Sequence, residues 1–179
     1  MGFVTRELTL NDLFPDLLLH FNRYQEVRRC LRMENEKWVL KDIPFIEQWD
    51  EALKKEIVSV DFTNCLKSGG VVWGVFNKSN ELIAFACIAS NLFGSENQYL
   101  QLIQIHVSHE YRNKGIGKEL FKLSVIKAKF MEAKKMYISA HSSEESQIFY
   151  INMGCVDAKE INNKLAGLEP YDRQMEYEL

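Results

Sequence analysis

Residues 99–117 read Tyr-Leu-Gln-Leu-Ile-Gln-Ile-His-Val-Ser-His-Glu-Tyr-Arg-Asn-Lys-Gly-Ile-Gly, and this stretch decides the predicted fold. The apolar residues of 99–107 predict a strand, and a helical pattern begins at Gly115 and continues to about Lys134. A second strand is predicted over Met136–His141. A strand, a helix and a second strand in this order predict a β-α-β unit.

The loop between the first strand and the helix is suited to an anion. Gly115 and Gly117 lack Cβ atoms, so main-chain N–H groups at the start of the helix can approach a ligand closely. Arg112, Lys114 and Lys118 add positive charge to the partial charge of the helix N-terminus. The loop therefore suits a pyrophosphate.

Spacing excludes two common phosphate-binding motifs. A Rossmann fingerprint needs a third glycine at the position held by Leu120, and a P-loop needs Gly-Lys followed by Ser or Thr. Neither pattern is present, so a nucleotide bound in either of these ways is not expected.

The motifs around the loop resemble those of the GNAT superfamily of acyl-CoA-dependent N-acetyltransferases. Residues 105–117, with Ile-His-Val and then Arg-x-x-Gly-x-Gly, are similar to that family's strand and acyl-CoA loop. Phe149-Tyr150 followed by Met153-Gly154-Cys155 is similar to the end of its last conserved helix. His109 stands where the family often has Pro, and Cys155 where it often has Phe. The likeness covers residues 99–157, whereas residues 1–98 match only in their succession of strands and helices.

The resemblance implies an α/β, single-domain GNAT-like fold, with a mixed central sheet of about seven strands, a splayed parallel pair and helices on both faces. It also implies acetyl-CoA as the cosubstrate, with its pantetheine arm between the splayed strands. Residues 1–179 would form one N-acetyltransferase domain. Its parts would be a variable acceptor-side half (1–98), an acetyl-CoA-binding core (99–157) and C-terminal strands (158–179).

By the same resemblance, Ile105 and Val107 offer main-chain N–H and C=O groups to the pantetheine arm and the acetyl carbonyl. Ser143 either bonds the pantetheine amide or serves only as a helix cap. The residues that would surround the pyrophosphate are Arg112, Asn113, Lys114, Gly115, Ile116, Gly117 and Lys118.

Acetyl transfer to an amine needs a proton acceptor and a proton donor. An alkylammonium group has a pKa near ~10.4, so it must lose a proton before it attacks the thioester, and the leaving thiolate benefits from an acid. The resemblance gives the acid role to Tyr150, whose alternative is an aromatic packed under the cofactor. His106 is predicted as the base because it alternates with Ile105 and Val107 and an imidazole titrates in the useful range. His141, water, or a histidine without a catalytic role are the alternatives.

The composition narrows the class of protein. A chain of 179 residues with 46% hydrophobic and 26% charged residues is typical of one soluble globular domain. The net charge of −3 gives no reason to expect nucleic acid. No apolar run is long enough to span a bilayer and no signal peptide is recognisable, so a cytoplasmic protein is expected. The four cysteines lack metal-ligand spacing, and we expect reduced thiols, no metal and no covalent cysteine route.

The rest of the chain shows further strand and helix patterns. These are a strand over Phe3–Leu8, a helix from Asn11 to Tyr24, extended segments at 37–41 and 44–46, a helix marked by residues from Trp49 to Val60 and ended by Ser68-Gly69-Gly70, and a hairpin of Val71–Phe76 and Leu82–Ile88. They continue with a helix capped by Ser142 and Glu145 that ends at Gly154, and strands over Cys155–Ile161 and Arg173–Leu179.

Together these inferences predict an N-acetyltransferase that moves the acetyl group of acetyl-CoA directly to a primary amine of a small molecule. A protein lysine or N-terminal acetyltransferase is one alternative, and a non-catalytic acetyl-CoA-binding sensor or interaction module is another. Neither nucleic acid nor a membrane is expected as a partner, and a homodimer is compatible with the sequence. Several acidic residues either receive a cationic amine or form charged surface: Glu47, Asp50, Glu51, Glu169 and Asp172.

Overall fold

Strands form the centre of the structure, a computed structural model that describes residues 2–179; Met1, the first residue of the predicted domain, lies outside them. The strands are β1 (Val4–Glu7), β2 (Gln25–Glu34), β3 (Lys37–Glu47), β4 (Val71–Phe76), β5 (Leu82–Ile88), β6 (Tyr99–Val107), β7 (Lys135–Ala140), β8 (Val156–Asp157) and β9 (Arg173–Glu178). Seven of them form one sheet in the order β1-β4-β5-β6-β7-β9-β8, and β2 and β3 form a separate pair. The predicted seven-stranded mixed sheet is confirmed.

Helices cover both faces of this sheet. They are α1 (Glu51–Glu56), a π-helical segment (Ile57–Phe62), α2 (Thr63–Lys67), α3 (Ile116–Phe130), α4 (Glu144–Met153) and α5 (Asn163–Leu168). Phe62 packs with Phe85 of β5 in one apolar cluster, and Leu120 and Tyr150 pack with Leu100 of β6 in the other. Within residues 2–179, no helix has the length and apolar character needed to cross a membrane.

The parallel strands β6 and β7 pair along only part of their length. Their register runs from Tyr99 opposite Lys135 to Leu102 opposite Ile138. Beyond Leu102, β6 continues to Val107 beside β5 alone. The carboxyl ends of the two parallel strands therefore diverge, as predicted, and leave an opening in the sheet.

The hairpin of β4 and β5 has the predicted bounds. Its five-residue turn is organised by Asn77, whose side-chain oxygen accepts hydrogen bonds from the N–H groups of Ser79 at 2.9 Å and Glu81 at 3.0 Å. Asn80 takes a left-handed conformation with φ of 58°. Asn is one of the few residues that tolerate this conformation, so the local sequence specifies the turn.

The predicted helix from Asn11 to Tyr24 is wrong. The chain forms only a 3₁₀ turn over Leu10–Asp12, which begins after Thr9, and then a series of irregular turns. Pro15 cannot supply the N–H group that a continuing helix needs. Some of the apolar residues of this segment are buried in the core from these turns, with Phe21 only 1% exposed.

Two further predictions near the C-terminus are corrected. Ser143, and not Ser142 with Glu145, caps α4, because its Oγ accepts the N–H of Ser146. The predicted strand over Cys155–Ile161 is limited to β8, and the segment after it forms α5, whose cap the sequence reading missed. Asn162 caps α5 by accepting the N–H groups of Lys164 and Leu165 with its side-chain oxygen.

The hairpin of β2 and β3 was only partly predicted, because β2 was not recognised. It packs against the start of α4, where Arg29 binds the Glu144 carboxylate through two hydrogen bonds of 2.9 and 2.6 Å. The Leu31 N–H also donates to Ser142 O at 2.8 Å. These contacts place the base of the hairpin beside the opening between β6 and β7.

Gly70 provides a stability test of the fold. A Cβ atom there would lie 2.5 Å from Ile88 O and 2.8 Å from both the main-chain oxygen and the Sγ of Cys65. Because main-chain atoms cannot move aside cheaply, we expect Gly70→Ala to reduce the free energy of unfolding by about 1–3 kcal/mol or more. Urea denaturation measures the change.

Gly167 of α5 is the matched control. A Cβ atom there meets nothing within 4 Å. Gly167→Ala should leave stability unchanged or raise it by up to about 1 kcal/mol, as expected for an exposed helical position. Equal effects of the two substitutions would contradict the packing described around Gly70.

Candidate functional site

A cleft of about 1300 Å³ opens where β6 and β7 diverge. Pockets for drug-sized ligands measure about 300–1,000 Å³, so the cleft has room for more than one small group. Both halves of the chain line it: most of residues 103–118, several of 139–150, all of 23–26 and several of 47–61. The end of the chain contributes Glu169 and Asp172.

The main chain of β6 presents polar groups to the cleft. Ser108 N–H donates to Ile83 O at 2.8 Å, and His106 lies opposite Phe85 of β5. Antiparallel strands alternate the direction of their main-chain groups, so the N–H and C=O groups of Ile105 and Val107 point away from β5 and into the opening. Their contact with a pantetheine arm and an acetyl carbonyl stays a prediction.

The loop before α3 forms an anion-binding end of the cleft. Asn113 and Gly115 both have positive φ, 60° and 81°, which turns the chain sharply into the helix. Gly115 is the N-cap of α3 and no side chain satisfies the first N–H groups of this 15-residue helix. Free N–H groups at a helix N-terminus bind anions. Asn113, Gly115, Ile116, Gly117 and Lys118 all line the cleft.

Two basic side chains of the loop are held by the protein. Arg112 donates to Val107 O at 3.0 Å and to Arg23 O at 3.2 Å, so its guanidinium braces the end of β6. Lys114 donates to Glu110 O at 2.6 Å and does not line the cleft. Arg112 keeps its charge close to the anion-binding end, but its direct contact with a phosphate stays a prediction, as does that of Lys114.

Ser143 is engaged within the protein. It is fully buried, its Oγ donates to Ser146 Oγ at 3.0 Å, and it caps α4. Ser143 is not among the residues that line the cleft, whereas Ser146 is. The cap role is therefore observed, and a bond from Ser143 to pantetheine stays a prediction.

Tyr150 lies on α4 and borders the cleft. Its side chain packs against Phe149, with ring centroids 5.1 Å apart, and Phe121, at 6.4 Å, and it is 8% exposed. The hydroxyl makes no hydrogen bond to any residue within 2–179. Burial raises its pKa well above the usual range, and the charges of Cys155 and Asp172 raise it further. The phenol thus stays protonated and can donate to a group in the cleft.

His106 lies in an aromatic part of the cleft. Its ring is 4.9 Å from Trp49 and 5.3 Å from Phe85, measured between centroids. Burial lowers its pKa to about 3, and the positive charges of Arg23 and Arg112 add to the effect. A neutral imidazole with so low a pKa accepts a proton poorly, so the geometry does not favour the predicted base role, which stays a prediction.

His141 follows β7 and has one nitrogen engaged. Ser143 N–H donates to its Nδ1 at 3.2 Å. The neutral ring must then carry its own proton on Nε2, which leaves no free lone pair. Burial lowers the pKa of His141 as well. Neither histidine is therefore well placed to take a proton.

Acidic side chains occupy another part of the same cleft. Glu47, Glu169 and Asp172 line it, although they lie far apart in the sequence. Asp50 and Glu51, which were considered with them, have other roles: Asp50 caps α1, and Glu51 bonds to Lys54. Of the five acidic residues suggested to receive a cationic amine, Glu47, Glu169 and Asp172 therefore line the cleft.

Sequence reasoning missed part of the site. Arg23 lines the cleft at 7% exposure and bonds to Glu47 at 2.5 Å, and Trp49 covers His106. Asp61 also lines the cleft and accepts a hydrogen bond from Gln104 at 2.8 Å. No local motif marks these residues, because they meet only when the helix after β3 packs on the sheet.

The cysteines offer neither a nucleophile nor a metal site. All four cysteines are buried and free. Burial raises the pKa of the Cys155 thiol to about 12, so it is not a nucleophile near neutral pH. No group of three or more His, Cys, Asp or Glu side chains in residues 2–179 is arranged to hold a metal ion.

Comparison with known families relates this geometry to a class of protein. The model of the family described as Acetyltransferase (GNAT) matches residues 28–154, which is more than half of the chain. No curated protein sequence matches the chain.

Solved structures share the fold at low sequence identity. A protein of Bacillus anthracis provisionally named streptothricin acetyltransferase, solved with acetyl coenzyme A, has 21% identity and a TM-score of 0.73 over 100% of this chain and 99% of its own. A nourseothricin acetyltransferase has 13% identity and a TM-score of 0.67, with 98% and 96% covered. PaiA N-acetyltransferase of Thermoplasma acidophilum, solved with coenzyme A, has 16% identity and a TM-score of 0.61, with both chains fully covered at 100%.

Proposed function

Because the chain belongs to the GNAT acetyltransferase family and is an acyltransferase, we propose that it moves the acetyl group of acetyl-CoA directly to a primary amine of a small molecule. The observation that carries this proposal is one cleft with three chemically distinct parts. Free helix N–H groups lie at the loop before α3, the Tyr150 hydroxyl borders the middle, and carboxylates line the acceptor side.

The donor half of the cleft fits acetyl-CoA. The N-terminus of α3 supplies main-chain N–H groups to the pyrophosphate, and Lys118 adds a nearby positive charge. Ile105 and Val107 direct main-chain groups toward the pantetheine arm. Arg112 already occupies one lone pair of Val107 O, so the N–H groups of this strand are the freer partners.

Tyr150 is proposed as the general acid. Its protonated hydroxyl donates to the sulfur as the C–S bond breaks, and the elevated pKa of the phenol keeps the proton in place until then. The tetrahedral intermediate is stabilised by a main-chain N–H group of β6. No acetyl-cysteine intermediate is proposed, since burial keeps the Cys155 thiol protonated.

The acceptor is proposed to be small and cationic. Residues from 1–98 form one wall of the cleft, with Arg23, Glu47 and Trp49, and this supports the assignment of that half to the acceptor. Two of the similar structures are named for streptothricin and nourseothricin acetylation, which supports testing these compounds first. An acetylase of protein lysines or N-termini is the second candidate function. The division of the domain into an acceptor-side half, an acetyl-CoA-binding core and C-terminal strands stays a proposal.

A panel of amines tests the function. Streptothricin, nourseothricin, n-butylamine, 1,4-diaminobutane and a lysine-containing peptide are incubated with acetyl-CoA, and released thiol is followed. Acetylation of one small amine is expected, with the product identified by mass spectrometry. Acetylation of the peptide alone would favour the protein acetylase. Acetyl-CoA binding without any turnover would favour a sensor, and sedimentation of the same samples tests whether the protein forms a homodimer.

The predicted role of His106 has its own test. Because its pKa is about 3, we expect His106→Gln to leave the acidic limb of the kcat/KM profile between about pH 5 and 8 in place. His141→Gln is the matched comparison. Disappearance of the limb in His106→Gln only would restore His106 as the base.

A further inference from the structure

Asp172 lies in the loop before β9, at the carboxyl end of β7 where the sheet opens. The next residue, Arg173, pairs with Ala140 at the end of β7. The Asp172 N–H donates to Glu169 O at 3.0 Å, and Asp172 lines the cleft. The main chain of this loop therefore places Asp172 at the cleft.

No cation within residues 2–179 forms an ion pair with Asp172. Two further carboxylates face it: Glu169 from its own loop and Glu47 from the end of β3. Arg32 is the nearby cation on β2, but its guanidinium lies 4.3 Å from the ring of Tyr171 and bonds to other groups. Glu47 is paired with Arg23, so Asp172 and Glu169 are the carboxylates in this part of the cleft that form no ion pair with a described residue.

Tyr150 approaches the same space from α4. Its hydroxyl is unpartnered among the described residues, its side chain is more than nine-tenths buried, and its pKa responds to the charge of Asp172. A proton donor for the leaving group and an unbalanced carboxylate therefore border one cavity. A ligand that contacts both the Tyr150 hydroxyl and the Asp172 carboxylate is suited to this space if it places a positive charge against the carboxylate.

We propose that Asp172 is a catalytic residue that receives the ammonium group of the acceptor and takes its proton, an inference that rests on the proposed N-acetyltransfer. The acceptor class is accordingly an amine that arrives as an ammonium ion.

The charge state of Asp172 suits this role. Burial raises its pKa to about 6, and the negative charges of Glu169 and Glu47 add to the effect, whereas Ser142 N–H and Arg32 oppose it. Near neutral pH the group is mostly a carboxylate that can still accept a proton. His106, with a pKa of about 3, is weaker as a base by about three powers of ten.

The proton and electron balance of the reaction is simple. Asp172 takes one proton from the ammonium, and the freed nitrogen lone pair forms a bond to the acetyl carbon. The C–S bond breaks, its electron pair stays on sulfur, and Tyr150 gives the sulfur a proton. The new amide nitrogen loses its second proton to the Tyr150 oxygen through the cleft, and Asp172 releases its proton to solvent.

Asp172→Asn tests the proposal with 1,4-diaminobutane, or with whichever amine of the panel is acetylated. Asn keeps the size of the side chain and removes the base. We expect kcat near pH 7 to fall about 10-fold or more with a smaller change in KM, and the rate limb near pH 6 to vanish. The defect should shrink as the pH approaches the pKa of the amine, where the free amine exists in solution.

Glu169→Gln is the matched variant. It removes a charge that raises the pKa of Asp172 but leaves the carboxylate, so the limb should move to lower pH and persist. An unchanged pH profile in Asp172→Asn, or an effect on KM alone, would overturn the role of Asp172 as a base.

A measurement without turnover separates this proposal from the proposed function. Carbon-13 NMR of aspartate carboxyl groups, with Asp172→Asn assigning the signal, follows the titration in the CoA complex. Addition of 1,4-diaminobutane should lower the pKa of Asp172, because a bound ammonium favours the carboxylate. A response without acetylation of any amine would contradict the transfer reaction only, and acetylation without a response would contradict the Asp172 assignment.

Discussion

Replacing Tyr150 with Phe is expected to lower turnover about 10²- to 10⁴-fold while acetyl-CoA affinity is preserved, because the change removes only a proton donor. The ring would keep its contacts with Phe149 and Phe121. The hydroxyl has no partner within residues 2–179, so its removal leaves no buried group unsatisfied and the free energy of unfolding should change little. Steady-state kinetics and calorimetric titration with acetyl-CoA measure the two effects separately.

Tyr177→Phe is the control for this experiment. Tyr177 packs against the same Phe121, at 5.4 Å between centroids, but does not line the cleft. It should keep full turnover. If Tyr150→Phe also retains turnover, Tyr150 is only a packing residue, and the thiolate must leave with a proton from water or without one.

Gly117→Val is expected to weaken acetyl-CoA binding about 10- to 100-fold, the effect of losing one hydrogen bond to a charged group. A Cβ atom at Gly117 would lie 3.4 Å from Phe149 and 3.7 Å from Val107, which are ordinary contacts. The fold should therefore accept a side chain at this position. The two methyl groups of Val would extend into the space beside the first N–H groups of α3 and obstruct the phosphates. Calorimetric titration with CoA measures the loss.

The control for this prediction is Gly117→Ala, which should bind CoA more tightly than Gly117→Val because it adds only the Cβ atom. Thermal unfolding without ligand checks that both variants fold, and acetyl-CoA should raise the melting temperature less for Val than for Ala. Wild-type affinity in a folded Gly117→Val protein would remove the loop from the donor site.

Much of the fold could be predicted because its signals are local. The strands β4, β5 and β6 have the predicted bounds, since apolar runs bounded by Gly, Asn and Ser specify both the strand and its turn. The loop Arg112–Gly117 was also predictable, because the positive φ at Gly115 favours glycine and the start of a helix has a recognisable residue pattern.

Other elements depended on contacts that are distant along the chain. Residues 11–24 have helical spacing, yet they form irregular turns from which Phe21 is buried in the core. The cap of α4 moved by one residue to Ser143, because Ser142 bonds instead to Arg32 and Leu31 of β2. Hydrophobic periodicity does not predict such contacts, because they form only when the β2–β3 hairpin packs against α4.

The sequence by itself determined the β-α-β unit and the anion-binding loop, because hydrophobic periodicity and glycine positions mark them locally, whereas the candidate acid Tyr150 followed from the family resemblance. Only the tertiary structure decided which groups can exchange a proton. Burial and the charges of Arg23 and Arg112 lower the pKa of His106, whereas burial and the charges of Glu169 and Glu47 raise that of Asp172. A pKa depends on the charges and the desolvation that surround a group in space, and residues far apart in the sequence supply both.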